Sequence, residues 1–157
     1  MSYQLSGKES LCVAWKIKKM KKKPSISKLK KAVWKEFSLY IRLKYSDYRG
    51  YVTCYTCGIQ KHYKDSMQAG HGFGGRHKAV LFMEEVVKPQ CYGCNCMMGG
   101  KLDVFTHNLR KELGDKRFEQ LYKVAHGKRR DQWTIEELQN YKDYYKKKLK
   151  ELSCPTS

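Results

Sequence analysis

Apolar residues recur with helical spacing in four parts of the chain and with strand-like spacing in a few short ones. Leu29, Val33, Phe37 and Ile41 follow at every fourth position, Trp34, Tyr40 and Leu43 widen the stripe, and Lys28, Lys31, Lys35 and Arg42 take the opposite face. This pattern predicts a helix over 27–47, capped by Ser27. Asp47–Gly50 reads as a turn and Tyr51–Thr53 as a short strand. Residues 59–68 carry no clear period, although Ser66–Ala69 reads as a strand leading to Gly70 and His71, with Ala79–Phe82 as its return partner in a hairpin.

The remainder is helical. Leu102, Phe105, Leu109 and Leu113 form one stripe closed by Gly114, and Phe118, Leu121, Tyr122 and Ala125 form another before Gly127. The last helix is the best specified. Thr134 and Glu137 make a capping box, Trp133 and Leu138 can staple its start, and Leu138, Tyr141, Tyr145, Leu149 and Leu152 share a face.

Between these helices lie two Cys-x2-Cys pairs, Cys54/Cys57 and Cys91/Cys94, with 33 residues separating them. Gly58 eases the first turn. Four thiolates from two tight turns suit tetrahedral Zn²⁺ with no open position, which makes the site structural. Such an ion contributes on the order of 10–16 kcal/mol to folding, and the glycine-rich segment between the pairs has few core residues of its own. The competing reading is two reduced pairs packed as small hydrophobes. Cys96 sits one residue from Cys94 and is left out of the set; Cys12 and Cys154 read as free thiols.

Charge adds a partner. The chain of 157 residues carries 33 Lys and Arg against 15 Asp and Glu, for a net charge of +18. Residues 1–53 hold 14 basic and 3 acidic side chains, residues 54–100 hold 5 and 3, and residues 101–157 hold 14 and 9. A near-neutral centre between basic arms favours a polyanion, nucleic acid first. No apolar run approaches transmembrane length, and no lipidation signal is seen, so no membrane role is expected. Seven cysteines without a secretory signal point to a reducing cytoplasm. Residues 1–24 read as a flexible basic tail in which Lys21, Lys22 and Lys23 offer phosphate contacts without fixed geometry. Residues 25–157 read as one domain.

Chemistry concentrates near His71 and Asn95. Phosphodiester hydrolysis needs an activated water, charge stabilisation and help for the leaving oxygen. A histidine ending a hairpin strand, and an asparagine where a helix begins after the second Cys pair, stand where these tasks require them. Gly72, Gly74 and Gly75 lead to Arg76, His77 and Lys78, a basic loop able to lie against a phosphate chain. The planar fork of Arg76 suits a phosphate clamp. His62, His107 and His126 read as surface or structural residues.

This layout resembles the HNH nucleases, in which the histidine is the general base and the last His or Asn binds the catalytic metal. The strings Phe37–Lys44, Cys54-x2-Cys57-Gly58, Gln68-Ala-Gly-His71, Arg76-His77-x-Ala79, Gln90-Cys91-x2-Cys94-Asn95 and Gly99-Gly100 more closely resemble the phage NinG (Rap) recombination proteins. That family is associated with cleavage of branched DNA, including Holliday-type junctions.

The resemblance implies an α+β fold, a treble-clef zinc finger with a ββα-metal (HNH-like) core and flanking α-helices. It implies His71 as base, Asn95 as a ligand of catalytic Mg²⁺ or Mn²⁺, structural Zn²⁺ on Cys54, Cys57, Cys91 and Cys94, and Arg76, His77, Lys78 and Lys21–Lys23 on DNA. The expected activity is a structure-selective endonuclease in phage recombination, working in the host cytoplasm, with a homodimer expected where a four-way junction is cut symmetrically. The alternative is a zinc-stapled DNA- or RNA-binding module without catalysis. Gly70 stands where many HNH enzymes carry an acidic ligand, and Val86 where the family usually has Asn. The second ligand of the catalytic metal is therefore open, with Asp65, His77, Glu84 and Glu85 as candidates.

Overall fold

The computed structural model describes residues 24–74, 78–127 and 132–153. The elements are α1 (Ile26–Lys44), β1 (Tyr51–Thr53), β2 (Gln60–His62), β3 (Met67–His71), β4 (Val87–Cys91), α2 (Leu102–Leu113), α3 (Asp115–His126) and α4 (Ile135–Ser153). Short helical turns at Glu84–Val86 and Gly93–Met97 flank β4. The molecule is α+β. Two small antiparallel sheets, β1–β2 and β3–β4, sit among four helices.

The helices form where the stripes lie. Leu29, Val33, Phe37, Tyr40 and Ile41 of α1 are buried. They share one core with Phe105 and Leu109 of α2, Phe118, Leu121 and Ala125 of α3, and Leu138 and Tyr145 of α4. Tyr145 joins α4 to α1: its ring lies 4.8 Å from Phe37 and 5.4 Å from Tyr40, and its hydroxyl donates to the Phe82 carbonyl at 3.0 Å. The capping box closes as expected, with Glu137 N donating to Thr134 Oγ1 and Thr134 N to a Glu137 carboxylate oxygen. Gly114, at φ 75°, ends α2.

Three expectations need correction. The α1 cap is Ser25, one turn-residue pair earlier than Ser27: its hydroxyl accepts from Lys28 N at 3.4 Å. The segment without a clear period contains β2, which pairs Gln60, Lys61 and His62 with Thr53, Val52 and Tyr51. Ala79–Phe82 is a turn, and the return strand of the hairpin is β4, in which Met67 pairs with Cys91 and His71 with Val87. Val80, Leu81 and Phe82 are buried consecutively, so they do not alternate as one face of a strand would.

A second, smaller cluster, Val52, Cys54, Met67, Cys91 and Cys94, surrounds the cysteines, with Tyr63 against it. The β3–β4 ladder connects this cluster at one end to His71 at the other.

Candidate functional site

Both cysteine pairs fold into tight turns because backbone amides need acceptors and find them locally. Cys54 N donates to Ile59 O at 2.8 Å, Gly58 N to Cys54 O at 3.0 Å, and Gly58 takes φ 74°. Cys91 N donates to Cys54 Sγ at 3.3 Å and Cys94 N to Cys91 Sγ at 3.5 Å. The four sulfurs lie within 4.8 Å of one another. A tetrahedral ion with metal–sulfur bonds of ~2.3 Å holds its sulfurs about 3.8 Å apart, and Cys57 and Cys91 Sγ stand at 3.8 Å. The donor set therefore fits a metal such as Zn²⁺ closed by four protein ligands. It is the one such cluster among the described residues.

Electrostatics favour a thiolate there. Burial opposes ionisation of Cys54, but the Thr56 hydroxyl and the backbone amides of Cys91, Cys57 and Thr56 outweigh it and bring the thiol down to about 6. For Cys57 the Ile59 amide is outweighed by burial and by the thiols of Cys54, Cys94 and Cys91, which push it up to about 12. Cys91 is likewise pushed up, by burial first and by the competing thiols of Cys94 and Cys54. A cation removes that competition.

The cluster is braced from the sheet. Gln90 is fully buried. Its amide donates to Gly100 O at 2.8 Å and to Thr56 Oγ1 at 3.2 Å, which leaves the Thr56 proton for Cys54 Sγ at 3.4 Å. Gln90 Oε1 has no hydrogen-bond partner and lies against Gly70, where an added Cβ would run into it. Position 70 is thus filled from the neighbouring strand and has no room for a carboxylate.

Pleat alternation places Gln68, Gly70, Lys88 and Gln90 on one face of the β3–β4 ladder, and Ala69, His71 and Val87 on the other. On the first face Asn95 Nδ2 donates to Gln68 Oε1 at 2.6 Å, and Cys96 Sγ donates to the same oxygen at 3.1 Å. Gln68 fixes the Asn95 amide so that Oδ1 is the atom left to accept or ligate. Asn95 rides on the single wide turn Gly93–Met97, closed by Met98 N on Gly93 O. Nearby, Lys88 Nζ is sunk among aromatic rings, 5.2 Å from the Tyr45 centroid and 5.6 Å from that of Tyr55. It donates to Tyr45 Oη and Glu112 Oε1, and Tyr55 Oη donates to Glu112 Oε2. Burial works against the Lys88 charge, yet Glu112 and Tyr45 more than compensate and raise its pKa.

On the second face His71 stacks on Trp34 of α1, with centroids 5.1 Å apart and planes 15° from parallel. Its Nε2–H donates to the Leu81 carbonyl at 3.2 Å. That bond selects the Nε2–H tautomer and puts the basic lone pair on Nδ1. Gly72 follows because a Cβ there would strike Phe105 and Leu109. The turn at 78–83 presents the Leu81 carbonyl.

The structure therefore ties Asn95 to the cysteine end of the ladder and His71 to the end that receives α1. Lys78 donates to Glu137 and to Gln132 O and lies over Trp133, so it is engaged with the start of α4. Arg76, His77 and Lys21–Lys23 lie outside the described residues. Of the candidate acids, Glu84 holds Lys44 and Tyr40, and Glu85 holds Arg117 through both oxygens. Asp65 follows β2, with its amide on His62 O. Sequence reasoning missed Thr56, Gln68, Leu81 and Gln90. Gln68 and Gln90 stand inside the strings that carry His71 and Cys91, and that placement was the available signal.

Fold and site together define a small α+β protein stapled by a four-cysteine cluster able to hold a metal. The family model described as Bacteriophage Lambda NinG protein matches residues 7–154, nearly the whole chain, and the protein belongs to the NinG family. No curated protein and no solved structure matches it.

Proposed function

We propose that this protein is a structure-selective DNA endonuclease of the HNH kind, acting on branched DNA. NinG membership suggests a role related to phage recombination. The observation that carries the nuclease reading is the His71 geometry. An imidazole whose Nε2–H donates to a carbonyl and whose plane is held by Trp34 has Nδ1 as the ring nitrogen to which this reading gives the proton-accepting role. In this mechanism Nδ1 deprotonates water, and the hydroxide attacks phosphorus in line with the leaving 3′ or 5′ oxygen. Asn95, aimed by Gln68, offers Oδ1 as one hard ligand for Mg²⁺ or Mn²⁺. Such ions keep several waters and take phosphate oxygens beside one or two protein carboxylates; of the candidate acids, Glu84 and Glu85 are engaged by Lys44, Tyr40 and Arg117, which leaves Asn95 as the protein ligand this reading names. A divalent ion there would stabilise charge on the phosphate and the leaving oxygen. Zn²⁺ on the four cysteines would fix the Cys91 end of the ladder and the Gly93–Met97 turn that carries Asn95, while His71 stands at the ladder's other end and on its other face, so this reading requires one bound DNA to reach both.

The second reading is a zinc-stapled DNA-binding module without catalysis, and the filled space at Gly70 favours it. One experiment separates the two. Purified wild-type protein, His71→Ala and Asn95→Ala are incubated with labelled four-way junction, flap and duplex DNA in Mg²⁺, Mn²⁺ or EDTA. His71→Ala should stay folded, bind branched DNA and cut it about 10²–10⁴-fold more slowly. Asn95→Ala should recover part of its loss as Mn²⁺ is raised, because more metal offsets a weakened ligand and cannot replace a base. Wild-type cutting by His71→Ala would end the nuclease assignment.

A further inference from the structure

The turn that joins α1 to β1 carries an exposed aromatic side chain among cations. Tyr48 is 95% exposed, although a tyrosine with no packing role has no reason to be held in one place. The turn around it is nonetheless closed by hydrogen bonds. Asp47 Oδ1 accepts from Arg49 N at 2.9 Å and Tyr51 N at 2.8 Å, and Gly50 N donates to Asp47 O at 2.9 Å. Gly50 adopts φ +84°, and a Cβ there would run into the His62 ring.

Rings and cations continue from Tyr48 along the first sheet. The Arg49 guanidinium lies 5.5 Å from the Tyr48 centroid and 5.8 Å from that of Tyr51. Tyr51 meets His62 edge-on at 5.8 Å, His62 lies 4.7 Å from Tyr63, and Lys64 Nζ sits 5.5 Å from the Tyr63 ring. The acidic groups beside this run are Asp47, which serves the turn and pairs loosely with Arg49 at 3.5 Å, and Asp65. Arg49, Lys61 and Lys64 outnumber them. Each of the three tyrosine rings has a cation within 5.8 Å, Arg49 serving Tyr48 and Tyr51 and Lys64 serving Tyr63, a surface suited to flat groups joined by anions.

We infer that Tyr48, Arg49, Tyr51, His62 and Lys64 form a stacking platform for unpaired bases of single-stranded or branched DNA. Tyr48 offers its face to a base and Arg49 and Lys64 contact the adjoining phosphates. Base–aromatic stacking tolerates any sequence, because every base has a π face, and is strongest where bases are already unpaired. A prearranged turn lowers the ordering cost of binding. The inference rests on the reading that the partner is DNA, and it is independent of whether His71 cuts it.

The test measures fluorescence anisotropy of labelled oligo-dT, a blunt duplex and a four-way junction with wild-type protein, Tyr48→Ala, Tyr48→Trp and Arg49→Ala. Circular dichroism and zinc content check that each variant is folded. Tyr48→Ala should weaken oligo-dT binding about 5- to 150-fold and leave the blunt duplex within about twofold. Tyr48→Trp should restore affinity, and its fluorescence should be quenched on binding. Arg49→Ala should weaken binding and reduce its salt dependence. Undiminished oligo-dT affinity for Tyr48→Ala, or an equal loss on blunt duplex, overturns the platform. If that variant instead shifts sedimentation from dimer to monomer with DNA binding intact, the surface is a self-association face and the proposal falls. Wild-type protein that binds oligo-dT through Tyr48 but cuts nothing keeps the platform and removes the nuclease. Wild-type protein that binds no DNA removes both.

Discussion

The Thr56 hydroxyl receives an amide proton from Gln90 and gives its own to the Cys54 sulfur. Removing it leaves a buried N–H without an acceptor and takes one donor from a sulfur that otherwise relies on backbone amides, Cys91 N among them. Outer-shell bonds of this kind hold ligands in orientation and typically contribute 10–100-fold in metal affinity. Thr56→Val should therefore bind zinc 10- to 100-fold more weakly in competition with a chromogenic chelator, yet retain its fold when zinc is in excess. Loss of structure at saturating zinc would show the hydroxyl to be needed for packing. None of this was legible in the chain. Cys54, Cys57, Cys91 and Cys94 announce themselves by spacing, whereas Thr56 and Gln90 acquire their roles from contacts between segments 34 residues apart. His71 was visible as a lone histidine after a strand; the Leu81 carbonyl that orients it belongs to a turn the pattern of apolar residues had assigned to a strand.

At the scale of elements, α4 was the most legible and is held by interactions its own sequence only half contains. The capping box is local, and the Tyr145 hydroxyl bond to Phe82 O is not. Tyr145→Phe should destabilise the protein by about 1 kcal/mol for the lost bond, and Tyr145→Ala by about 3–5 kcal/mol for the cavity, read from denaturant midpoints. The start of α4 also has a pH signature. Lys78 foremost, with the Thr134 amide, holds the Glu137 carboxyl below the usual range. A carboxyl depressed on folding adds stability above its unfolded value, and that stability fades as pH falls through the folded one. Glu137→Gln should thus have a lower Tm than wild type at neutral pH, with the gap closing in acid below the ordinary carboxylate range. A gap that stays constant down to pH 2 would exclude the Lys78 pair as its source.

For the whole molecule, the cysteine cluster and the helical core are two separate apolar clusters bridged by the β3–β4 ladder. Cys54→Ser or Cys91→Ser should release the metal, lower the Tm sharply and unravel the β1–β2 sheet before the helices. Elemental analysis with amide exchange would show this, and full stability without bound metal would contradict it. The separation explains why the architecture was readable in outline. Helix stripes specify the large core, and the Cys pairs specify the small one. The bridge was harder to see because β4 is buried throughout, Lys88 and Gln90 included, so its residues show neither alternation nor a wholly apolar run. Among the described residues, no helix is long and apolar enough to cross a membrane.

Lys88 also gives the molecule a built-in chemical reporter. The residue is 2% exposed, its ammonium walled by Tyr45 and Tyr55 and clasped by Glu112, while most lysines on α1 and α4 face water. An amine-acylating reagent needs a neutral, reachable amine, and Lys88 is neither. Under brief labelling, mass spectrometry should find Lys28, Lys35 and Lys147 modified and Lys88 untouched. Acylation of Lys88 would then follow the opening of the β3–β4 ladder alone. Its rate after chelation of the metal would time how quickly loss of the ion at one end of the ladder reaches the strand pair that carries His71 at the other.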